Sequence, residues 1–343
     1  SRFTGCSQRS ILSAAMPSEI GCVFTGAVIG AGPAGLMAAD VMARAGLQVT
    51  VFDRMPSVGR KFLMAGRGGL NLTHSEPIDE FLLRYADASA WLAPAIAGFS
   101  PTDLRAWADG HGEATFVGSS GRVFPRSFKA SPLLRAWLRE LNQLGVAVET
   151  RKLWTGWDDD GALSFSDGST SNANVCVLAL GGASWPRLGA DGNWVSVLAG
   201  KGIKVAALVA SNAGVNCKWS DMTITRHAGA PLKRIAVTVA GRTVRGEAVI
   251  SRTGLEGGVI YAVSRELRDV LTASGHADLH LDLRPDLDVS KLTARLAKVP
   301  RKQSLSNRLR KAAGLSPQAI SVWRDCVHPQ KFETDEALAR SLK

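Results

Sequence analysis

Val28-Ile29-Gly30-Ala31-Gly32-Pro33-Ala34-Gly35 carries an apolar strand into a G-x-G-x-x-G turn, and Asp53 closes the apolar strand that follows. A strand, such a turn and a helix in this order are typical of a dinucleotide site. Gly30 permits the tight turn, Gly32 lets the backbone approach a pyrophosphate, and Gly35 lets the helix pack close to the strand. We therefore predict that residues 30–35, with Pro33 and Ala34 among them, form a phosphate cradle.

A helix predicted over residues 34–45 begins at this cradle. Its free N–H groups and its dipole favour an anion at the amino end without any cationic side chain. Asp53, which lies 18 residues beyond Gly35, can accept hydrogen bonds from ribose hydroxyls. A glycine turn that serves packing alone is the structural alternative. A membrane span is another, because residues 20–39 carry no charge, but five glycines and a proline in that stretch argue against it.

Composition indicates a globular chain with no disulfide framework. The 343 residues are 45% hydrophobic and 21% charged, enough for two or more domains. Five scattered cysteines without a C-x-x-C pair argue against a zinc site or a redox dithiol, so we expect no metal and a cytoplasmic location. Residues 1–23 form a leader of uncertain status: translated upstream sequence is our preferred interpretation of residues 1–18, and an organellar transit peptide is the alternative.

The net charge of +11 is concentrated near the carboxyl end. Between Ser290 and Arg324 the chain has no acid and nine basic residues: Lys291, Arg295, Lys298, Arg301, Lys302, Arg308, Arg310, Lys311 and Arg324. Such a run can bind phosphates, but base-stacking aromatics are missing, with Trp323 alone present. We expect a solvated helical face and a small-molecule substrate, with an anionic substrate or partner as the alternative use of this charge, and we expect no nucleic-acid partner.

Periodicity divides the chain into two parts. Before residue 200 we predict a basic glycine-rich loop (59–74), helices (77–85, 101–110, 132–144), an extended loop (121–126), a strand (146–150), a meander with turns at 158–161 and 167–168, and an apolar strand (175–180). That last strand reads as buried on both faces and ends in Gly181-Gly182, beside the expected ligand crevice. We predict domains at 24–200 and 201–343. The second is expected to be β-rich over about 201–256, with a hairpin of 234–240 and 243–250 around Gly241, and helical over about 257–343, with helices at 259–273, 290–298, 305–313 and 335–341.

Several motifs together resemble one family. They are Val28 to Gly35, Val58-Gly59-Arg60-Lys61, Gly68-Gly69-Leu70-Asn71-Leu72-Thr73, Gly121-Arg122-Val123-Phe124-Pro125, Ala179 to Ser184 and Gly254-Leu255-Glu256-Gly257-Gly258. This set resembles the BaiN/YhiN-like NAD(P)/FAD-dependent oxidoreductases over roughly residues 26–325. The resemblance implies an α/β fold: a two-dinucleotide-binding, Rossmann-like FAD domain with a small antiparallel meander, and a mixed β-barrel and helical insert domain.

The resemblance also implies which residues hold FAD. Besides the cradle, they are Asp53, Arg54, Arg60, Lys61, Gly68, Gly69, Leu70, Asn71, Gly181 and Gly182. Arg67, Asn71 and His74 are the catalytic candidates, with stabilisation of the loop as the alternative role of Arg67 and Asn71. Arg122 and Arg126 are candidates for an anionic substrate or a nicotinamide phosphate, and can equally be surface charges.

Two departures from the family pattern matter. Many relatives carry cysteine where this chain has Leu70, which argues against thiol chemistry there. Relatives also continue with a G-E-x-x-D and G-G-Y segment that returns to the flavin domain. Residues 330–343 do not resemble it, so we expect an incomplete flavin domain, from a fragment or an altered reading frame, in which FAD affinity is reduced or abolished.

The leading hypothesis from the sequence is an FAD-dependent oxidoreductase that passes hydride from NAD(P)H through the flavin to an unknown organic acceptor. The first alternative is an NAD-dependent dehydrogenase that uses the same cradle without flavin. The second alternative is a non-catalytic nucleotide-binding or basic interaction protein, which the charge between Ser290 and Arg324 favours.

Overall fold

The computed structural model describes residues 23–65, 68–327 and 332–343. Residues 1–22 of the leader and the catalytic candidate Arg67 therefore lie outside the described residues. The chain divides after Leu208 into two compact units, whereas the sequence pattern predicted a domain boundary near residue 200. Each unit has its own sheet and its own hydrophobic core.

A parallel four-stranded sheet forms the centre of the first unit. Its strands are β1 (Thr25–Ile29), β2 (Gln48–Asp53), β6 (Ala147–Thr150) and β10 (Val175–Leu178), in the spatial order β10-β1-β2-β6. On one face, α1 (Pro33–Arg44) and α6 (Ala130–Gln143) bury Leu36, Trp137 and Leu141 against Val28 and Val51. The predicted Rossmann-like unit is thus confirmed, and it brings the carboxyl ends of β1 and β2 to the same edge.

Two small antiparallel sheets accompany the parallel one. The predicted meander is confirmed as β7 (Trp154–Trp157), β8 (Leu163–Phe165) and β9 (Thr170–Ser171). Its turns form because Asp158 Oδ1 accepts a hydrogen bond from the Ala162 N–H (2.7 Å) and Asp167 Oδ1 accepts one from the Ser169 N–H (3.1 Å). The other sheet contains β3 (Thr73–His74), β4 (Thr115–Val117) and β5 (Arg122–Pro125) in the order β3-β5-β4.

Two expectations about these strands were wrong. The segment 121–126 is not a loop, because its extended residues pair on both sides as β5. Strand β10 is not buried on both faces: Val175 and Val177 are 44% and 36% exposed. The reason is its position, since within the described residues β10 pairs with β1 alone and forms the edge of the sheet.

The second unit is built around a five-stranded antiparallel sheet. Its strands are β11 (Val215–Asn216), β12 (Pro231–Val239), β13 (Arg242–Ile250), β14 (Gly254–Glu256) and β15 (His280–Asp282), in the order β11-β14-β13-β12-β15. The predicted hairpin is confirmed as β12 and β13, which turn at Gly241. The predicted helical half contributes β15 to this sheet, and helices cover the core that includes Ile235, Ile250 and Leu292.

Fourteen α-helices are found in the described residues, besides two short 3-10 helices at Ala86–Ala88 and Pro186–Leu188. The remaining ones in the first unit are α2 (Arg60–Ala65), α3 (Ile78–Leu83), α4 (Ser89–Gly98), α5 (Pro101–Gly110) and α7 (Trp194–Gly200). In the second unit they are α8 (Asp221–His227), α9 (Gly258–Ala262), α10 (Ser264–Ser274), α11 (Val289–Ala297), α12 (Leu305–Ala313), α13 (Pro317–Cys326) and α14 (Asp335–Arg340). The sequence predictions missed α2, α4, α7, α8 and α13. Of the helices in the described ranges, none has the length and apolar character needed to cross a bilayer.

Candidate functional site

A cavity of about 830 Å³ opens at the carboxyl ends of β1 and β2, within the first unit. This volume is in the usual range for small-molecule and cofactor sites. Many of the residues predicted for the cofactor line it: Gly30, Gly32, Pro33, Ala34, Asp53, Arg54, Arg60, Lys61 and Gly181. The cavity is therefore the candidate cofactor site.

The structure requires glycine at two of the three cradle positions and not at the third. A Cβ on Gly35 would lie 1.8 Å from the Gly30 carbonyl oxygen, and one on Gly30 would lie 2.4 Å from the Ala179 carbonyl oxygen. Gly30 also has a φ of +107°, which favours glycine. Gly32 has neither constraint, because its φ is −83° and a Cβ added there would have no atom of the described part of the chain within 4 Å, its two chain neighbours apart. A side chain at Gly32 would instead extend into open space at the helix terminus, which is where a pyrophosphate is expected.

The amino end of α1 is free of side-chain caps and acids. Gly32 is the N-cap residue, Pro33 occupies the first turn, and no side chain of the described residues accepts a hydrogen bond from the first-turn N–H groups. Unpaired amides at a helix terminus bind anions, and the helix dipole adds to the attraction. Since Gly32, Pro33 and Ala34 all line the cavity, this terminus fits a phosphate group.

Asp53 holds the turn around the cradle. One carboxylate oxygen accepts a hydrogen bond from the Ala31 N–H and the other accepts one from the Met55 N–H, each at 2.7 Å. This structural role was not predicted from the sequence. Each oxygen retains a second lone pair, so the carboxylate can still accept hydrogen bonds from ribose hydroxyls.

An ion pair links two sides of the cavity. The Arg54 guanidinium donates a hydrogen bond to the Asp191 carboxylate, and both residues line the cavity. Burial raises the pKa of Asp191, but the hydrogen bonds from Arg54 and from the Asn193 N–H lower this pKa by more, so the carboxyl stays ionised. Asp191 follows no motif that identifies it in the sequence, and the prediction for Arg54 did not include this partner.

Two buried donors beside the cavity have no partner among the described residues. They are Arg60 Nε and Trp154 Nε1, both of which belong to lining residues. An unpaired buried N–H is costly, and a bound ligand with oxygen acceptors would satisfy it. Lys61 is already engaged, because its ammonium donates to Ser184 Oγ at 3.0 Å.

The Gly181-Gly182 segment lies only partly at the cavity. Gly181 lines it, and its carbonyl oxygen accepts a hydrogen bond from Trp194 Nε1 at 3.1 Å; Gly182 is not among the lining residues. Lys152 also lines the cavity but was not predicted, and its ammonium is bound to Asp167 at 2.7 Å. This ion pair and the hydrogen bonds from Ser169 hold the pKa of Asp167 well below its ordinary value.

A second cavity, of about 430 Å³, adjoins α2 and shares Pro33 and Lys61 with the first. Leu70 and Asn71 line this cavity rather than the first, while Gly68 and Gly69 line neither. The Leu70 side chain is 3% exposed and lies in an apolar cluster. Since leucine has no thiol, no thiol chemistry is available at this position.

The structure does not bring the remaining candidates to the first cavity. His74 Nε2 lies 3.0 Å from the Ser120 carbonyl oxygen, and its Nδ1 accepts a hydrogen bond from the Glu76 N–H at 3.2 Å. Arg122 and Arg126 are exposed, and like His74 they line neither cavity. Within the described residues, no group of three His, Cys, Asp or Glu side chains is arranged to hold a metal ion.

The parallel sheet, the glycine turn and the cradle define a Rossmann-type dinucleotide-binding protein. The family described as HI0933-like protein Rossmann domain matches residues 24–294, and the chain belongs to it. This is a family of FAD-binding oxidoreductases, similar to BaiN and YhiN.

Two curated relatives are named ribosomal RNA dihydrouridine synthase. The one from Haemophilus influenzae is 24% identical over 322 residues, covering 92% of this chain and 77% of the relative. The one from Escherichia coli is 24% identical over 305 residues, covering 83% and 70%. Among solved structures, Thermovibrio ammonificans THI4 is similar over 60% of this chain and 71% of its own, with 18% identity and a TM-score of 0.35.

Proposed function

We propose that this chain is an FAD-dependent oxidoreductase that passes hydride from NAD(P)H through the flavin to an organic acceptor. The observation that carries the proposal is the open space beside Gly32, at a helix terminus whose amides have no side-chain cap. Protein packing does not require glycine there, whereas close approach of a pyrophosphate does. Family membership supports FAD as the dinucleotide.

The residues of the first cavity have distinct parts in this proposal. The first-turn amides of α1 bind the pyrophosphate, and Asp53 accepts hydrogen bonds from the ribose while it holds the turn. Arg60 Nε and Trp154 Nε1 supply donors for ligand oxygens. FAD, when bound, supplies two-electron chemistry: NAD(P)H and one proton reduce the acceptor by two hydrogens and leave NAD(P)⁺.

We infer further that the acceptor is a uracil base in RNA. The names of the two curated relatives support this inference, and they remove the basis for expecting no nucleic-acid partner. Reduction of uracil to dihydrouracil adds a hydride to one carbon of the C5–C6 double bond and a proton to the other. Because Leu70 is a buried leucine, the proton must come from another group or from water.

A matched pair of variants tests the cofactor site. Gly32→Leu places a side chain in the cradle. Gly98→Leu is the control: it adds the same side chain at the end of α4, where an added Cβ likewise has no described atom within 4 Å. Gly32→Leu is expected to weaken FAD binding by about 1–3 kcal/mol, or about 5- to 150-fold, and Gly98→Leu to leave it unchanged. Titration calorimetry measures both, and equal affinities would contradict the assignment. Binding of NAD(P) by a protein with no affinity for FAD would identify the flavin-free dehydrogenase.

A separate experiment tests the acceptor. The protein with FAD and NADPH is incubated with a uridine-containing RNA, which is then digested to nucleosides for mass spectrometry. The expected product is a uridine that has gained two hydrogens. Flavin bleaching by NADPH with no such product would refute the uracil acceptor and leave the oxidoreductase in place.

A further inference from the structure

The charge of the chain is divided unevenly between the two units. Residues 209–343 contain 22 Lys and Arg against 13 Asp and Glu, a net charge of +9. Residues 1–208 contain 19 against 17, a net charge of +2. A surface with this excess attracts a polyanion and accelerates its association.

Within the second unit, the excess of positive charge is greatest on α11, on α12 and on the residues between them. We call the connecting turn, residues 298–304, the basic turn. Seven cationic side chains are exposed on these two helices and the residues between them: Lys291, Arg295, Lys298, Arg301, Lys302, Arg310 and Lys311. Lys291 is paired with Asp288. Buried Leu292, Leu296 and Leu309 fix both helices on the core. The cations are therefore presented on a rigid support.

Helix electrostatics explain only some of these residues. Arg295 lies in the last turn of α11, and Arg310 and Lys311 lie in the last turn of α12, where cations stabilise the helix dipole. Arg301 and Lys302 follow Pro300 and belong to neither helix. Among the described residues neither one has an ion-pair partner, and no acid occurs from Ser290 to Arg324. Neither a helix terminus nor an ion pair within the described residues accounts for the charge of Arg301 and Lys302.

We propose that the basic turn binds the phosphate backbone of folded RNA. The proposal rests on the proposed function, in which the acceptor is a base in RNA. Trp323, the aromatic residue between Ser290 and Arg324, is 4% exposed, so this surface offers no platform for base stacking. Contacts to phosphates without stacking suit double-helical RNA, which proteins recognise by its shape and backbone. An anionic bilayer fits less well, because Leu292, Leu296 and Leu309 are buried and Leu305 is partly buried against the same core, so none is free for insertion.

The test uses the full chain and a fluorescein-labelled RNA hairpin with a stem of about 16 base pairs, long enough for a protein domain to span. Arg301→Gln with Lys302→Gln is compared with Arg135→Gln and Arg139→Gln, two exposed cations on α6 in the first unit. Both double variants remove two charges. Circular dichroism confirms that each one folds.

We expect the basic-turn variant to bind RNA at least about tenfold more weakly at 0.1 M salt, and its plot of log affinity against log salt to be flatter by about 1.5. The α6 variant should match the wild type. Equal losses in both variants, or no loss in either, would overturn the proposal. The proposal would also be overturned if the wild-type protein bound phosphatidylglycerol vesicles and did not bind the RNA hairpin. Flavin bleaching by NADPH is measured on the same preparations, so a failed flavin site is distinguished from a failed RNA surface.

Discussion

Replacing Asp53 by asparagine separates two roles of this carboxylate. In the flavin-free protein, Asp53 accepts two 2.7 Å hydrogen bonds, from the Ala31 and Met55 N–H groups. Asparagine keeps one carbonyl acceptor and turns an NH₂ group toward the other N–H. One bond thus loses its charge assistance, and one donor loses its acceptor.

The magnitude follows from these two losses. Each is about 1–3 kcal/mol for a buried group, and water compensates in part because Asp53 is only half-buried. We expect Asp53→Asn to lower the free energy of unfolding by about 2 kcal/mol, which corresponds to about 4–8 °C in the melting temperature of a unit this size. FAD affinity should fall by about tenfold or more, because the ribose hydroxyls lose a charged acceptor.

Urea unfolding of the flavin-free protein measures the first effect, and titration calorimetry with FAD measures the second. Asp159→Asn is the control, since it removes a carboxylate from an exposed turn and should change stability by less than about 0.5 kcal/mol. Unchanged stability of Asp53→Asn would refute our account of the turn. Unchanged FAD affinity in a folded Asp53→Asn protein would refute the ribose contact.

Four further predictions follow from single contacts. Gly35→Ala should lower the free energy of unfolding by more than about 2 kcal/mol in urea titrations, because the new methyl meets a backbone carbonyl oxygen at 1.8 Å. Burial raises the pKa of Cys217 to about 11, so about one thiol in a thousand is ionised at pH 8, and peptide mass spectrometry should show at least tenfold slower iodoacetamide labelling in native than in urea-unfolded protein. The hydrogen bond from Arg54 lowers the pKa of Asp191, so this bond stabilises the fold above the unfolded pKa of about 3.9 and is lost on acidification. Asp191→Asn should therefore lower the free energy of unfolding by at most about 1 kcal/mol at pH 7, and by less at pH 3, in urea titrations. Leu70→Cys should lower the free energy of unfolding, measured in urea titrations, by about 2 kcal/mol. The new thiol should resist alkylation, and rapid labelling would show that position 70 is accessible.

Local signals made the first strand, turn, helix and strand predictable. The apolar runs, the glycines and Asp53 all lie within one short segment, and each constrains the same geometry. The start of α13 was predictable by the same means but was overlooked: Ser316 accepts a hydrogen bond from the Ala319 N–H, and Pro317 occupies the first turn. Helix α4 gave no such signal, because it is apolar on all sides and contains Pro94.

The rest of the site depends on contacts between distant segments. Asp191 reaches Arg54 across 137 residues, and Ser184 reaches Lys61 across 123. Nothing in the local pattern around Asp191 or Lys152 indicates that either residue lines the cavity. The exposure of β10 depends on whether a further strand lies beside it. An apolar run does not itself indicate whether a strand is at the edge or at the centre of a sheet.

Gly32 and Gly35 show why a glycine motif alone does not establish a ligand. Gly35 is required by the fold, because any side chain there meets the backbone of Gly30, so its presence is equally expected in a turn that binds nothing. A Cβ added to Gly32 would have no atom of the described residues within 4 Å, its two chain neighbours apart, and its backbone is in a region open to every residue. The packing of the described residues does not account for glycine at this position, whereas the pyrophosphate of the proposed cofactor would. The distinction between a packing turn and a binding turn thus depends on this single position, where the protein leaves space that it does not itself use.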